Sequence, residues 1–191
     1  MIDLVQTTER TSAVVSAVSD DQLDAPTPIG QPVRVVLNHL LGLATAFTDA
    51  AAKVTGPTTS TPPSPDDGPL RDDWRRELEE RLHELAEAWR AEDAWAGMTM
   101  AGGVKLPAEV CGLVALDEVL LHGWDVARAT GQSYRPSDVE CEAVQPVVTP
   151  DPERPDGAGR DGLFGTVVAV PADAPVFHRV LGLAGRDPEW S

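Results

Sequence analysis

The chain has 191 residues and a formal net charge of −16, with 42% hydrophobic and 24% charged residues. This length and composition fit one ordinary globular domain that buries its own core. So strong a negative charge repels phosphate backbones and anionic bilayers, and we therefore expect neither nucleic acid nor a membrane surface as a partner.

Three features of the sequence predict a cytoplasmic location. The N-terminal stretch MIDLVQTTER lacks the basic and apolar regions of a signal peptide. No apolar run approaches the roughly 18 residues that a membrane-spanning helix needs. The two cysteines, Cys111 and Cys141, lie far apart and outside any CxxC pair, which is typical of reduced thiols in a cytosolic protein.

Two helices are predicted in the first third of the chain. Apolar side chains recur at helical spacing over 3–18 and over 32–54, where they form a wide apolar face. Proline and glycine residues mark the loop between them, and Pro32 suits the first turn of a helix. Residues 55–69, TGPTTSTPPSPDDGP, predict a mobile linker, because proline and small polar residues offer little to bury.

The middle of the chain predicts a helix, a hairpin and a second helix. Residues 70–91 carry leucine and tryptophan on one face and charged side chains on the other, as an exposed helix on a core does. The turn signal AGG separates two short alternating runs in 95–106, which predicts a β-hairpin. The nearly continuous apolar pattern of 107–130 indicates a central, buried helix.

The remaining residues, 132–191, predict a tail packed on the bundle rather than a separate domain. Its expected parts are a helix capped by Ser137, a proline- and glycine-rich loop and a short apolar helix, at 138–148, 149–163 and 175–184. The expected fold is all-α: an up-and-down four-helix bundle with a small β-hairpin in residues 1–131, followed by this tail. The connections alone do not fix the topology.

The predicted buried helix carries two side chains that suit a metal ion, Glu118 and His122. Being four residues apart, they point to the same side of the helix. A buried carboxylate is costly unless it is paired or metal-bound, and a carboxylate and an imidazole one turn apart can share an ion. His39 borders the buried stripe of the second helix and would face this pair if the two helices pack together. The sequence therefore predicts a mononuclear metal site of His39, Glu118 and His122.

Two histidines and one carboxylate leave an open coordination position, as catalytic zinc sites do. Zinc is the favoured ion, and iron, nickel and manganese are alternatives. A plainer interpretation stays open beside this one: a Glu–His hydrogen bond on a helix face and a satisfied core histidine. Asp125, three residues after His122, is a candidate partner for the second nitrogen of that imidazole.

Two further side chains near the pair have two interpretations each. Trp124 could form the floor of a ligand pocket beside the metal site, or it could be a core anchor. Cys111 shares the helical stripe of Glu118 and could be a reactive thiol or a buried, inert one. For both residues, packing in the core is the simpler interpretation.

The segments VRVVLNHLLGL (33–43) and LDEVLLHGWDVARATGQ (116–132) resemble the DinB-like superfamily. In particular, they are similar to the metal-binding N-terminal domain of mycothiol-dependent maleylpyruvate isomerase, and the similarity extends over roughly residues 1–131. The ending of the chain is similar to that of short, poorly characterised relatives. The resemblance implies a four-helix bundle with a mononuclear site, whose ligands fall on His39, Glu118 and His122, and an open position that can bind a thiolate.

The resemblance and the residues together predict a metal-dependent enzyme that uses a low-molecular-weight thiol such as mycothiol on an electrophilic small molecule. Isomerase or S-transferase chemistry is expected, and no residue stands out as a separate general base. Residues 132–191 are too short to replace the isomerase's C-terminal domain, so we expect a reaction other than maleylpyruvate isomerisation itself. The alternatives are a metal-assisted hydrolase and a non-catalytic metal- or ligand-binding protein. A homodimer is compatible with each of these three functions.

Overall fold

The computed structural model describes residues 2–63, 69–158, 160 and 163–191. Within them lie eight α-helices, one short 3-10 helix (Asp20–Gln22) and one two-stranded ribbon: α1 (Val5–Ser16), α2 (Val33–Ala51), α3 (Pro57–Ser60), α4 (Trp74–Ala88), α5 (Glu92–Trp95), β1 (Met98–Ala101), β2 (Val104–Pro107), α6 (Ala108–Ala129), α7 (Asp138–Val148) and α8 (Val176–Leu183). The predicted all-α fold with a small β-hairpin is confirmed. None of the helices described is long and apolar enough to cross a membrane.

The four long helices, α1, α2, α4 and α6, form the bundle. Helices α1 and α2 each pack against both α4 and α6, so α1 and α2 lie diagonally although they are consecutive in the sequence. In a simple up-and-down bundle, consecutive helices are neighbours. The long connection over residues 17–32 can cross the end of the bundle, which permits this diagonal order. Fully buried leucines such as Leu40, Leu78 and Leu120 fill the space between the helices.

The hairpin forms where the turn signal predicts it. Strands β1 and β2 pair antiparallel, with Met98 opposite Pro107 and Ala101 opposite Val104. Gly102 and Gly103 form the turn with φ of +58° and +79°, a conformation that most side chains disfavour. The ribbon is held to the bundle because β1 packs against α2 and α6.

The structure corrects the linker prediction for the first part of residues 55–69. Helix α3 lies in this stretch, and Thr59 is buried, with its hydroxyl donating to the Val54 carbonyl at 3.0 Å. The Thr59 carbonyl accepts the Gly103 N–H at 2.8 Å, which joins the segment to the hairpin turn. The backbone hydrogen bonds therefore order a stretch whose composition predicts mobility. Residues 64–68 of the predicted linker lie outside the described residues.

Helix α7 is fastened to the bundle through one buried carboxylate. Glu140 completes a capping box with Ser137, whose N–H donates to Glu140 Oε2 at 2.7 Å, so the predicted N-cap is confirmed. Arg10 of α1 donates to both carboxylate oxygens of Glu140 at 3.0 Å, and the Thr7 hydroxyl donates to Oε1. Burial alone would raise the pKa of Glu140, but the hydrogen bonds from Arg10, Thr7 and Ser137 outweigh it and lower the pKa to about 2.

We expect Glu140→Gln to lower the free energy of unfolding by roughly 3 kcal/mol at neutral pH. The pKa of Glu140 is lowered on folding, so its contribution is fully present above about pH 4.5 and is lost as the pH falls towards 2. Urea unfolding between pH 2 and 7 should therefore show the two proteins converging at acid pH. The control is Glu142→Gln, which changes an exposed carboxylate on the same helix. Curves for Glu140→Gln and wild type that stay parallel would contradict the assignment.

Candidate metal centre

The packing of α2 against α6 brings the three candidate ligands together. His39, Glu118 and His122 each offer one ligand-type atom, and these atoms all lie within 4.8 Å of one another. The two imidazole rings meet edge to face, with their centroids 5.2 Å apart and an interplanar angle of 82°. His122 Nε2 lies 3.2 Å from Glu118 Oε2. Donor atoms this close can bind a single ion.

The second nitrogen of His122 faces a buried carboxylate. His122 Nδ1 lies 3.1 Å from Asp125 Oδ2, the contact that the three-residue spacing predicts. Asp125 is completely buried, and Arg186 from the C-terminal tail pairs with both of its oxygens. A carboxylate in this position fixes the ring orientation and raises the basicity of the other imidazole nitrogen.

The charges of the three groups differ in the absence of an ion. Burial lowers the pKa of His122, but hydrogen bonds to Asp125 and Glu118 outweigh it and raise the pKa to about 9, so this imidazole is protonated at neutral pH. Burial would raise the pKa of Glu118, but His122 outweighs it and the net shift is downward. Burial and the neighbouring His122 charge both lower the pKa of His39, which leaves that ring neutral. Without a metal ion, these shifts favour an ion pair between His122 and Glu118 beside a neutral His39.

An imidazole nitrogen of His39 without a hydrogen-bond partner supports a divalent ion at this site. His39 Nδ1 is buried and has no hydrogen-bond partner among the described residues, although the Pro63 backbone interacts with the ring and raises its pKa against the larger effect of burial. Buried polar atoms almost always have a partner, so an orphaned imidazole nitrogen points to an interaction still to be made. Two imidazoles and one carboxylate are donors that zinc and similar borderline ions accept.

The three side chains line an open cavity of about 560 Å³. One wall comes from the loop before α2 and from α2 itself, with Pro28, Ile29, Gln31, Val35 and Val36. Another part of the wall comes from the C-terminal tail, with Leu163, Phe164, Gly165, Ala184, Gly185 and Arg186. The tail residues, Arg186 above all, were missed by the sequence analysis, because no spacing signal connects them to the helix that carries Glu118.

Trp124 is not among the residues that line this cavity, which favours the core-packing interpretation of its role. Two residues of helix correspond to a turn of about 200°, so Trp124 points away from the side that presents His122. Its ring packs nearly perpendicular to Phe177, with the centroids 6.3 Å apart. Cys111 is also a core residue: it is fully buried, and burial raises the pKa of its thiol to about 11. At neutral pH that thiol carries almost no thiolate.

The glycine of the HGWD sequence allows a close approach beside the candidate ligands. A side chain at Gly123 would collide with the Thr11 hydroxyl and come within 2.7 Å of the Tyr134 hydroxyl oxygen. Those two hydroxyls lie 2.9 Å apart, and Thr11 also donates to the Val119 carbonyl. Gly123 thus lets α1 and Tyr134 lie directly on α6, one residue from His122.

Comparisons with known proteins agree with this architecture. Two solved structures are similar in fold: the crystal structure of the mycothiol-dependent maleylpyruvate isomerase and that of a histidine-to-alanine mutant of that enzyme. Both are 19% identical to this chain over 77% of it and 67% of theirs, with TM-scores of 0.61 and 0.56. A comparison with functionally curated proteins found no significant match. The sequence profile of the mycothiol maleylpyruvate isomerase N-terminal domain matches residues 4–127, more than half of the chain, and the protein belongs to that family.

Proposed function

We propose that this protein binds one divalent metal ion through His39, Glu118 and His122 and uses a low-molecular-weight thiol of the mycothiol type on an electrophilic small molecule. Zinc is the favoured ion, with iron, nickel and manganese as alternatives for the same donors. The observation that carries the proposal is the meeting of three ligand-type atoms within 4.8 Å at the side of an open cavity.

Family membership supports the thiol. The similar solved enzyme is described as mycothiol-dependent, and at 19% identity the likeness itself extends to the fold alone. The chemistry that we propose for the thiol is isomerisation or S-transfer. The cytoplasm, where low-molecular-weight thiols stay reduced, suits the free and buried Cys111 and Cys141.

The residues around the site can have separate roles in such a reaction. A bound divalent ion would lower the pKa of a coordinated thiol and so present a thiolate to the electrophile. Glu118 supplies the negative charge among the three donors, and Asp125 orients His122. The apolar side chains of Ile29, Val35 and Phe164 shield part of the cavity from water and can accept an apolar portion of the substrate.

The test is the binding of mycothiol to the zinc-loaded and the chelator-treated protein, measured by calorimetry, which requires no knowledge of the electrophile. We expect binding that depends on zinc and is lost with S-methyl mycothiol, whose blocked sulfur cannot become a thiolate. Equal binding of both compounds would contradict the thiolate assignment. Zinc binding without zinc-dependent binding of mycothiol would contradict the thiol-dependent enzyme and favour a metal-assisted hydrolase or a non-catalytic metal-binding protein.

A further inference from the structure

Arg186 connects the C-terminal tail to the candidate metal centre. It is 5% exposed, and its Nε and Nη2 donate to Asp125 Oδ1 and Oδ2 at 3.0 and 2.8 Å. The same Asp125 Oδ2 lies 3.1 Å from His122 Nδ1. A guanidinium that pairs with both oxygens sets the plane of the carboxylate, and with it the position of the oxygen that faces His122.

The backbone of the tail determines where Arg186 lies. The Arg186 N–H donates to the Leu181 carbonyl at 2.9 Å, and the Val168 N–H donates to the Gly182 carbonyl at 2.9 Å. At Gly185, where φ is +79°, a Cβ would approach Gly165 Cα to 2.5 Å, so two stretches of the tail cross in direct contact. Arg186 is therefore placed by the folding of the tail on itself as well as by its ion pair.

The ion pair between Arg186 and Asp125 affects both the C-terminal tail and the candidate metal centre. Asp125 is completely buried, and a buried charge whose partner is removed is strongly destabilising. Displacement of the tail would remove the guanidinium that orients the Asp125 carboxylate. His122 would then lose the partner that holds its ring.

We propose that metal binding and the seating of the C-terminal tail are coupled, with Arg186 as a positioning residue that acts on His122 through Asp125. The packed tail keeps His122 in the orientation that binds the ion. By thermodynamic reciprocity, bound ion stabilises the packing of the tail on the bundle. This inference rests on the proposed metal site. The tail segment that ends in Arg186 thereby increases the metal affinity of that site.

The test compares two arginine variants by zinc affinity, measured in competition with a chelator. Arg186→Lys keeps the charge but loses the fork that pairs with both oxygens of Asp125, and we expect its zinc Kd to rise at least tenfold, as after the loss of an outer-shell partner. The matched control is Arg10→Lys, which removes a similar fork from Glu140, and its zinc Kd should stay within about twofold of wild type. In an Asp125→Asn background, Arg186→Lys should cause little further loss, because the acceptor that links it to His122 is already altered.

Hydrogen exchange tests the reciprocal effect, that of bound zinc on the tail. Zinc should slow exchange of the Val168 and Arg186 amides at least tenfold, and Arg186→Lys should lose most of this slowing at saturating zinc. Equal zinc affinity in the two arginine variants, or tail amides in wild type that are insensitive to bound zinc, would overturn the coupling and leave the metal site intact. A wild-type protein that binds no divalent ion would overturn the proposed function and the coupling together.

Discussion

Replacing His122 with alanine is expected to weaken zinc binding by more than about 100-fold, beyond the range that the loss of an outer-shell partner produces. The change removes one of three donors and leaves His39 and Glu118, and two protein ligands hold zinc poorly. Asp125 keeps its pair with Arg186, so the buried carboxylate is not left without a cation.

The measurement is metal content after dialysis, together with zinc affinity by chelator competition. His83→Ala is the control, because His83 is an exposed histidine on α4, away from the cavity. Melting curves in chelator show whether each variant is folded. Wild-type zinc occupancy in folded His122→Ala would remove His122 from the site.

Glu118→Gln is expected to reduce the stabilisation that zinc confers on the folded protein by at least about 1.4 kcal/mol. Glutamine keeps the size of the side chain and can still hydrogen-bond to His122, but it removes the only anionic donor from a site for a dication. A ligand present at 1,000 times its Kd stabilises the folded state by about 4 kcal/mol, and each tenfold loss of affinity removes about 1.4 kcal/mol of that. We expect at least a tenfold loss.

Thermal melts of Glu118→Gln and wild type, each with chelator and with zinc, test this directly. Glu109→Gln is the matched control, since Glu109 is an exposed carboxylate on the same helix. A zinc-dependent rise in Tm of equal size in all three proteins would show that Glu118 is not a ligand. No rise in any of them, with no metal in the purified protein, would favour the plain Glu118–His122 pair in a metal-free core.

The helices and the face that carries the candidate site could be predicted because both depend on local spacing. Apolar residues at helical intervals predict α2 and α6, whose ends in the structure fall within three residues of the predicted ones. The four-residue spacing of Glu118 and His122 places both side chains on one side of α6 whatever the rest of the fold does. His39 required one further assumption, that α2 and α6 are neighbours, and their packing agrees with it.

Other features depend on which surfaces meet, and periodicity carries no information about that. The diagonal order of α1 and α2 follows from the path of a long loop, and the ordering of α3 follows from a hydrogen bond to the hairpin turn. Trp124 is apolar and next to the HG pair in sequence, yet its ring packs against Phe177 because the tail offers a partner on that side of α6.

The sequence by itself determined the all-α class, the hairpin and the helix face that presents Glu118, His122 and Asp125, because each of these follows from residues within a few positions of one another. Only the tertiary structure decided that Arg186 reaches Asp125 and that the tail forms a wall of the cavity. Those two residues are 61 positions apart, and the chain between them turns through loops that leave no periodic pattern. Their contact depends on the free energy of the whole folded chain, in which the buried Asp125 carboxylate pairs with a cation from a distant segment.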